Sequence, residues 1–249
     1  LIATDGSDHA DRAVRLVAAM SWPEGTVFRI VSVVDDPVAG FAVAPDDLVQ
    51  VGTGNHMLDG GSGNDTLSLH GNSTDITADG VTVSLALQGG AQDTEQGSMT
   101  LTGFENLSGS TYDDNLTGDG GDNLLAGDAG SDTLVGGDGN DTLYGDGALD
   151  IDGIGNSGPI VTITDTGAAG DDTLEGGLGD DHLDGGGGTD TASYVNAAGG
   201  VGVWLGGGYS WGADGNDTLV NIENVTGSAH DDELYGDWNA NIIDGGAGN

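Results

Sequence analysis

The chain lacks cysteine, has no lysine and contains three arginines among its 249 residues. Without cysteine it can form neither a disulfide framework nor a thiolate metal site. Its 42 acidic residues give a net charge of −39, and no lysine or arginine follows Arg29. Nucleic acids and anionic membrane surfaces require cationic side chains to neutralise phosphate, so we expect no nucleic-acid partner.

Long apolar runs and aromatic residues are also scarce. No stretch reaches the ~18 apolar residues that a bilayer-spanning helix requires, so we expect no membrane insertion. Aromatic residues make up 5% of the chain and hydrophobic residues 36%, which argues against a thick globular core. So acidic a chain attracts divalent cations, and self-repulsion without a counterion would favour disorder.

Glycine is abundant, with 50 residues, and much of it recurs in a nine-residue phrase. The phrase reads GGDGNDTLY at 136–144; it is intact at 60–68 and 176–184 and altered at 127–135, 167–175, 185–193 and 212–220. A fixed period predicts a stacked architecture, because one repeat cannot bury its own apolar side. Glycine permits turns that aim carbonyl oxygens at one point, the aspartate at position six adds charge, and both are oxygen ligands that calcium takes.

These repeats resemble the glycine-rich calcium-binding nonapeptides of the RTX family, found in secreted bacterial toxins, proteases, lipases and surface proteins. The resemblance covers about 51–249. It implies a mainly β fold, a right-handed parallel β-roll in which two nonapeptides complete one turn. It further implies Ca²⁺ between turns, bound by the aspartate of one repeat and carbonyls of the repeat two before it. The implied ligands are Asp65, Asp114, Asp132, Asp141, Asp172, Asp181, Asp190, Asp217 and Asp232, with turn glycines Gly127, Gly136, Gly139, Gly176 and Gly179.

The repeats are not equivalent. The longest uninterrupted run is 109–150, and within it Asp132 and Asp141 are the strongest candidate ligands. At position six, His56, Asn123 and Asn241 replace aspartate. Asparagine offers an oxygen but no charge, so we expect these sites to be weak or empty. The alternative for every aspartate is a turn residue that caps its own backbone.

Three inserts interrupt the period, at 69–108, 151–166 and 194–211. We expect them to be extra β-coils that extend or cap the same roll. Asp152 stands where 145–153 should carry leucine, so the roll should fray there. A longer duplication is also visible, because LTGFENLSGSTYDDNLTGD at 101–119 matches LVNIENVTGSAHDDELYGD at 219–237.

Residues 1–50 form a separate segment that holds all three arginines. Apolar patterning predicts a strand at 1–4, a helix over 8–20 and a strand over 27–34, which together make a small βαβ unit. Residues 1–36 resemble the opening strand-helix-strand of universal stress proteins, which are cytoplasmic nucleotide-binding α/β domains. That resemblance implies a nucleotide contact for Asp5, whereas the local sequence favours a helix cap.

Catalytic patterns are weak. Gly208-Tyr209-Ser210-Trp211-Gly212 fits GxSxG, and Asp217 and His230 follow it in the order of α/β-hydrolases. A nucleophile elbow needs a strand before the serine and a helix after it, but here a nonapeptide follows. We therefore expect no catalytic residues.

The leading interpretation is a non-enzymatic, calcium-binding module of a secreted or cell-surface bacterial protein that folds on binding calcium. One alternative is the accessory domain of an extracellular enzyme whose catalytic domain lies outside this chain; another is a nucleotide-binding stress-type protein with an acidic appendage. Trp204, Tyr209, Trp211 and Trp238 could bind carbohydrate or cover the roll. Besides calcium, the candidate partners are a cell-surface polysaccharide and another protein chain.

Overall fold

A computed structural model describes residues 29–31, 41–42, 48–50, 56–61, 63–69, 80–95, 97–151, 161–164 and 169–248. Within these residues the fold is mainly β, as predicted, and the helices are two short 3₁₀ turns, Leu85–Leu87 and Leu205–Gly207. No helix in this part of the chain is long and apolar enough to cross a membrane. The helix predicted over 8–20, the strand predicted at 1–4 and Asp5 all lie outside the described residues.

The strands are short and follow the nine-residue period. In chain order they are β1 (Arg29–Val31), β2 (Phe41–Ala42), β3 (Leu48–Gln50), β4 (His56–Asp59), β5 (Thr66–Ser68), β6 (Thr82–Ser84), β7 (Ala91–Asp93), β8 (Ser98–Thr102), β9 (Asn106–Ser108), β10 (Asn115–Thr117), β11 (Leu124–Asp128), β12 (Thr133–Asp138), β13 (Thr142–Asp146), β14 (Ala148–Ile151), β15 (Val161–Thr164), β16 (Thr173–Leu178), β17 (His182–Asp184), β18 (Thr191–Ser193), β19 (Val201–Trp204), β20 (Tyr209–Gly212), β21 (Thr218–Val220), β22 (Asn224–Thr226), β23 (Glu233–Tyr235) and β24 (Ile243–Asp244).

Two long, largely parallel sheets contain most of these strands. One has eleven strands in the order β1-β3-β5-β9-β11-β13-β17-β21-β20-β19-β23, and the other has seven in the order β24-β22-β18-β16-β12-β10-β6. Successive nonapeptides alternate between the sheets, so that β10 and β12 pair in one while β11 and β13 pair in the other. This alternation gives a parallel β-roll in which two repeats make one turn.

The core is a pair of apolar ladders formed by position eight of each repeat. In the eleven-stranded sheet the ladder contains Leu67, Leu107, Leu125, Leu143, Leu183 and Leu219; in the seven-stranded sheet it contains Val83, Leu116, Leu134, Leu174, Ala192 and Val225. All of these side chains are buried. Truncating one such leucine to alanine costs about 2–5 kcal/mol, so the ladders contribute much of the stability of the roll.

Glycine lets successive turns stack directly on one another. Gly139 and Gly179 have φ of 118° and 145°. A Cβ at Gly179 would overlap the carbonyl oxygen of Gly139, its counterpart in the preceding turn of the same face. Because both the backbone conformation and the close contact exclude a side chain, the repeat requires glycine at this position.

Two inserts add strands to the long sheets. The insert at 69–108 contributes β6 to the seven-stranded sheet and β9 to the eleven-stranded one, and the insert at 194–211 contributes β19 and β20. In the insert at 69–108, the segment 81–87, whose apolar and polar residues alternate, forms β6 and then the 3₁₀ turn Leu85–Leu87.

The third insert behaves differently. Here β14 pairs antiparallel with β15 rather than in parallel with a strand of either long sheet. Ala148 and Leu149 of β14 are buried, and the N–H of Leu149 donates to the hydroxyl of Ser108 at 3.1 Å. The register on either side is unchanged, because Leu134 still pairs with Leu174 and Leu143 with Leu183. The irregularity predicted at 145–153 therefore takes the form of an antiparallel pair whose first strand packs against the roll.

The strand predicted over 27–34 is present as β1. It pairs in parallel with β3, which pairs in turn with β5 of the roll. Of the described strands of the first fifty residues, β1 and β3 thus continue the eleven-stranded sheet, whereas β2 pairs with β4 in a separate four-stranded sheet with β8 and β7. The division of the chain into two domains at residue 50 stays a prediction.

Candidate metal centre in the stacked turns

The aspartates at position six form two ladders of hydrogen bonds between turns. In one, Oδ1 of Asp132 accepts the backbone N–H of Asp114 at 2.7 Å, eighteen residues earlier. Asp172 accepts in the same way from Asp132 at 2.7 Å, and Asp190 from Asp172 at 2.8 Å. Each carboxylate is therefore fixed by the turn before it.

The second ladder runs along the opposite face. Asp141 accepts from the N–H of Asn123 at 2.8 Å and Asp181 from that of Asp141 at 2.7 Å. Asp217 continues the ladder, accepting from Asp181 at 3.1 Å. The two ladders use one carboxylate oxygen of each aspartate, so the other is available for a second partner.

In a central group of turns that second oxygen is buried and has no hydrogen-bond donor. It is Oδ2 of Asp132, Asp141, Asp172, Asp181 and Asp190. Buried polar atoms in native proteins are nearly always partnered, and a buried charge without a partner is costly. An oxygen held in this state fits a ligand that supplies positive charge.

A glycine carbonyl converges on the same space. A Cβ at Gly127 would overlap both Oδ2 of Asp132 and the carbonyl oxygen of Gly145, so the two oxygens share a cradle that only glycine leaves open. The arrangement recurs at Gly136 and Gly145, with glycine carbonyls, and at Gly185, with the carbonyl of Asn221; at Gly176, Oδ2 of Asp181 lies in the same position. Carboxylate and carbonyl oxygens together are the donors that calcium takes, so the residues present fit this ion. On this side the carbonyl comes from the following turn, whereas the resemblance implies one from the preceding turn.

Burial sets the proton affinity of these carboxylates. Desolvation is the largest cause, and it raises the pKa of Asp132 to about 9 and that of Asp172, Asp181 and Asp190 to about 7. The backbone N–H lowers the pKa in part, and neighbouring acidic groups raise it again. Such groups hold a proton near neutral pH unless a cation replaces it.

Two other predicted ligands are satisfied by a neighbouring serine. Oδ2 of Asp114 accepts the N–H of Ser110 at 2.5 Å, and its Oδ1 accepts the Ser110 hydroxyl at 3.0 Å. Asp232 repeats this with Ser228, at 2.8 and 2.7 Å. Desolvation still raises the pKa of Asp114, to about 6. These carboxylates differ from the central group because protein donors reach both oxygens.

Asp217 is satisfied by the insert that precedes it. Its Oδ2 accepts the hydroxyl of Tyr194 at 2.8 Å and that of Ser210 at 2.6 Å. Ser210, the serine of the GxSxG match, is therefore buried inside β20 as a hydrogen-bond donor. No helix follows it, so the arrangement is not a nucleophile elbow.

Where asparagine occupies position six, its side-chain amide links two turns by a hydrogen bond. Nδ2 of Asn123 donates to the carbonyl of Glu105 at 2.8 Å, and Nδ2 of Asn241 donates to that of Glu223 at 2.7 Å. In each case an N–H group contacts a backbone oxygen of the neighbouring turn.

Glu105 and Glu223 are ladder members that sequence reasoning missed. Their Oε2 atoms accept the N–H of Asp65 at 2.8 Å and of Asp190 at 2.9 Å. A signal was available, because Glu-Asn-Leu at 105–107 and Glu-Asn-Val at 223–225 space acid and apolar residue as Asp-Thr-Leu does.

The remaining predicted positions have different surroundings. Asp65 is buried immediately before β5, at the expected place in the ladder. His56 begins β4, which pairs with β8 outside the two long sheets. Among the described residues no three His, Cys, Asp or Glu side chains gather in one group. The reason is that each turn brings one carboxylate, and its other nearby oxygens are backbone carbonyls.

Comparison with known families agrees with this geometry. A sequence model described as RTX calcium-binding nonapeptide repeat matches residues 46–72, 100–134, 127–151, 166–192 and 221–249. No curated protein matches the chain. The family matches begin at residue 46, and nothing in the comparisons supports the stress-protein resemblance of 1–36. RTX repeats bind Ca²⁺ as a structural ligand, and on the strength of these matches and its stacked aspartate turns the chain belongs to the RTX family of calcium-binding nonapeptide repeats.

Proposed function

We propose that the chain is a non-catalytic module that folds when calcium enters its central turns, in a secreted or cell-surface bacterial protein. The observation that supports this most directly is the row of buried Oδ2 atoms without donors. The residues that would hold the ions are Asp132, Asp141, Asp172, Asp181 and Asp190, with the carbonyls of the stacked turn glycines. Calcium there supplies positive charge between layers that otherwise carry only acidic groups.

The requirement for calcium is confined to part of the roll. Three of the predicted ligands already have hydrogen-bond donors from the protein. The donors are Ser110, Ser228, and the hydroxyls of Tyr194 and Ser210. The predicted ligands Asp114, Asp232 and Asp217 therefore need no ion to be satisfied. The turns at Asn123 and Asn241 are closed by amides. The central stretch at 127–190 lies between such self-closed turns.

An extracellular setting suits these sites. Calcium modules outside cells bind with a Kd on the order of 10⁻⁴–10⁻³ M. At ~1 mM calcium each such site adds roughly 0.4–1.4 kcal/mol to the free energy of unfolding. Several sites together can decide whether a roll with a net charge of −39 folds. In low-calcium cytosol the same chain would be mostly unfolded.

Calcium titration followed by far-UV circular dichroism tests the proposal. The full chain should gain its β signal as calcium rises through about 0.1–1 mM, and excess chelator should remove it. Magnesium, which accepts this mixture of carbonyls less readily, serves as the ion control. An equal β signal with chelator and with calcium would contradict the calcium-dependent fold.

A further inference from the structure

An exposed aromatic face lies on the last strands of the eleven-stranded sheet. We use this name for Trp204, Tyr209, Trp211 and Tyr235. Trp204 pairs across β19 with Tyr209 on one side and with Tyr235 on the other, so these three residues form one row over three neighbouring strands. Their side chains are 44%, 42% and 52% exposed, respectively. Large aromatic side chains grouped in this way are uncommon on a soluble surface without a partner.

A second row completes the face. Gly202, two residues before Trp204, pairs with Trp211 on one side and with Glu233 on the other. A Cβ at Gly202 would overlap the Trp211 indole, so this ring lies across the glycine. Residues two apart on a strand share a face, which places the exposed Glu233 beside the aromatic rings.

The strands that precede and include the duplicated segments at 101–119 and 219–237 allow a comparison. Thr117 pairs with Ser84 as Tyr235 pairs with Trp204. Ala91 pairs with Thr100 as Tyr209 pairs with Thr218. At the four positions of the aromatic face the first copy carries Ser84, Ala91, Asp93 and Thr117. The Ser84–Thr117 pair shows that β6 and β10 pair without aromatic residues. In the first copy β6 and β7 lie in different sheets, so the continuous row of Tyr209, Trp204 and Tyr235 is particular to the second copy.

Ring geometry and charge indicate the chemistry of the partner. Trp204 and Tyr209 have ring centroids 5.6 Å apart at an interplanar angle of 78°, and Tyr209 and Trp211 have centroids 5.7 Å apart at 44°. Rings so inclined do not make the flat platform on which a pyranose ring stacks, but they do offer ring faces to a cation. Glu233 adds a carboxylate, and the net charge of −39 repels anionic partners.

We propose that the aromatic face binds an arginine-bearing segment of a partner protein. The guanidinium group is planar and weakly hydrated, so it stacks on indole and phenol rings while it pairs with a carboxylate. This inference concerns a surface away from the calcium turns, and it needs calcium only to keep the roll folded.

Peptide binding to the full chain in about 2 mM calcium and about 0.15 M salt tests the inference. The probe is a synthetic peptide of alternating arginine and glycine, titrated by calorimetry. The double variant Trp204→Ser with Tyr235→Thr carries the residues of the first copy and leaves the net charge unchanged. We expect it to bind about tenfold more weakly, because two exposed cation–π contacts are lost. Equal binding by both proteins would show that bulk charge alone attracts the peptide and would overturn the proposal.

Two further arms separate the remaining possibilities. The reverse graft, Ser84→Trp with Thr117→Tyr, should strengthen peptide binding by a few-fold, and no gain would contradict the proposal even if the first variant failed to fold. Cellohexaose is the neutral glycan probe. Binding of cellohexaose that the first variant abolishes, with peptide binding unchanged, would assign the face to a carbohydrate instead. Calcium-dependent circular dichroism verifies that each variant folds.

Discussion

At the scale of the residue, the side chain at position six of the repeat has one of three chemically different surroundings. A carboxylate oxygen buried between turns is left without a protein donor at Asp172, receives serine donors at Asp232, or is replaced by an amide at Asn241. Under the proposed function, the donor next to position six decides whether a turn needs calcium, and the aspartate alone does not reveal it.

Two matched substitutions test this distinction. Asp172→Asn should remove about one bound calcium per chain and lower the free energy of unfolding in ~1 mM calcium by roughly 0.4–1.4 kcal/mol, because one ion site is lost. Asp232→Asn should leave the number of bound ions unchanged, since Ser228 already supplies both donors. Equilibrium dialysis with labelled calcium measures the stoichiometry. Loss of an ion in both variants would show that serine does not replace calcium.

At the scale of the element, the duplicated segments satisfy their position-six side chains with hydrogen bonds from the chain itself. Each copy contributes a serine-capped aspartate, at Asp114 or Asp232, and an amide-closed turn, at Asn123 or Asn241. These hydrogen bonds form within the chain and require no bound ion. The two copies thus provide structured neighbours on which the central, ion-dependent turns can stack.

The stacked glycines give a second element-scale prediction. Gly139→Ala should lower the free energy of unfolding by about 1–3 kcal/mol, because alanine is strained at a φ of 118° and its Cβ would meet the Gly121 backbone. Gly120→Ala is the matched control, since a Cβ there meets nothing within 4 Å. That variant should stay within about 0.5 kcal/mol of the parent. Urea denaturation in saturating calcium compares them, and equal midpoints would contradict the tight stacking of turns.

At the scale of the whole molecule, the proposed calcium sites imply that protons and calcium compete for the same carboxylates. The calcium-free fold buries Asp132 and its neighbours, whose pKa values are raised well above the ordinary value of about 3.9. A raised pKa in the folded state means that the fold binds protons more tightly than the unfolded chain does. The associated stability is complete below the ordinary pKa and is lost as the pH rises through about 7 to 9.

The calcium-free chain, which we expect to be mostly unfolded near neutral pH, should therefore have a larger folded fraction at pH 5 than at pH 8. In contrast, calcium affinity should increase over the same range, because fewer protons must leave when the ion enters. The far-UV circular dichroism of the chain in chelator and calcium titration at the two pH values measure the two trends. A calcium-free chain that is more stable at pH 8 would show that the buried carboxylates do not govern folding.

Much of the roll follows from the nine-residue phrase alone. Glycine, aspartate and leucine at fixed spacing predict the turn, the inward acid and the ladder that Leu134 and Leu174 form. The donors that replace calcium could not be predicted from one repeat. Ser210 reaches Asp217 from an insert, and Asn123 reaches a carbonyl eighteen residues away, so both contacts depend on how coils stack. The duplication carried a signal for such contacts, because Ser110 and Ser228 recur at the same place in each copy.

The hairpin of β14 and β15 has a practical consequence. Across it, the carboxylate contact from Asp132 to Asp172 spans 40 residues, whereas the equivalent contact from Asp114 to Asp132 spans 18, yet both measure 2.7 Å. The number of residues between two stacked turns can therefore change here without changing the distance between the turns. A foreign peptide inserted between β14 and β15 should therefore leave the pairing of Leu134 with Leu174 and of Leu143 with Leu183 intact, so the protein could serve as a scaffold that displays an inserted segment.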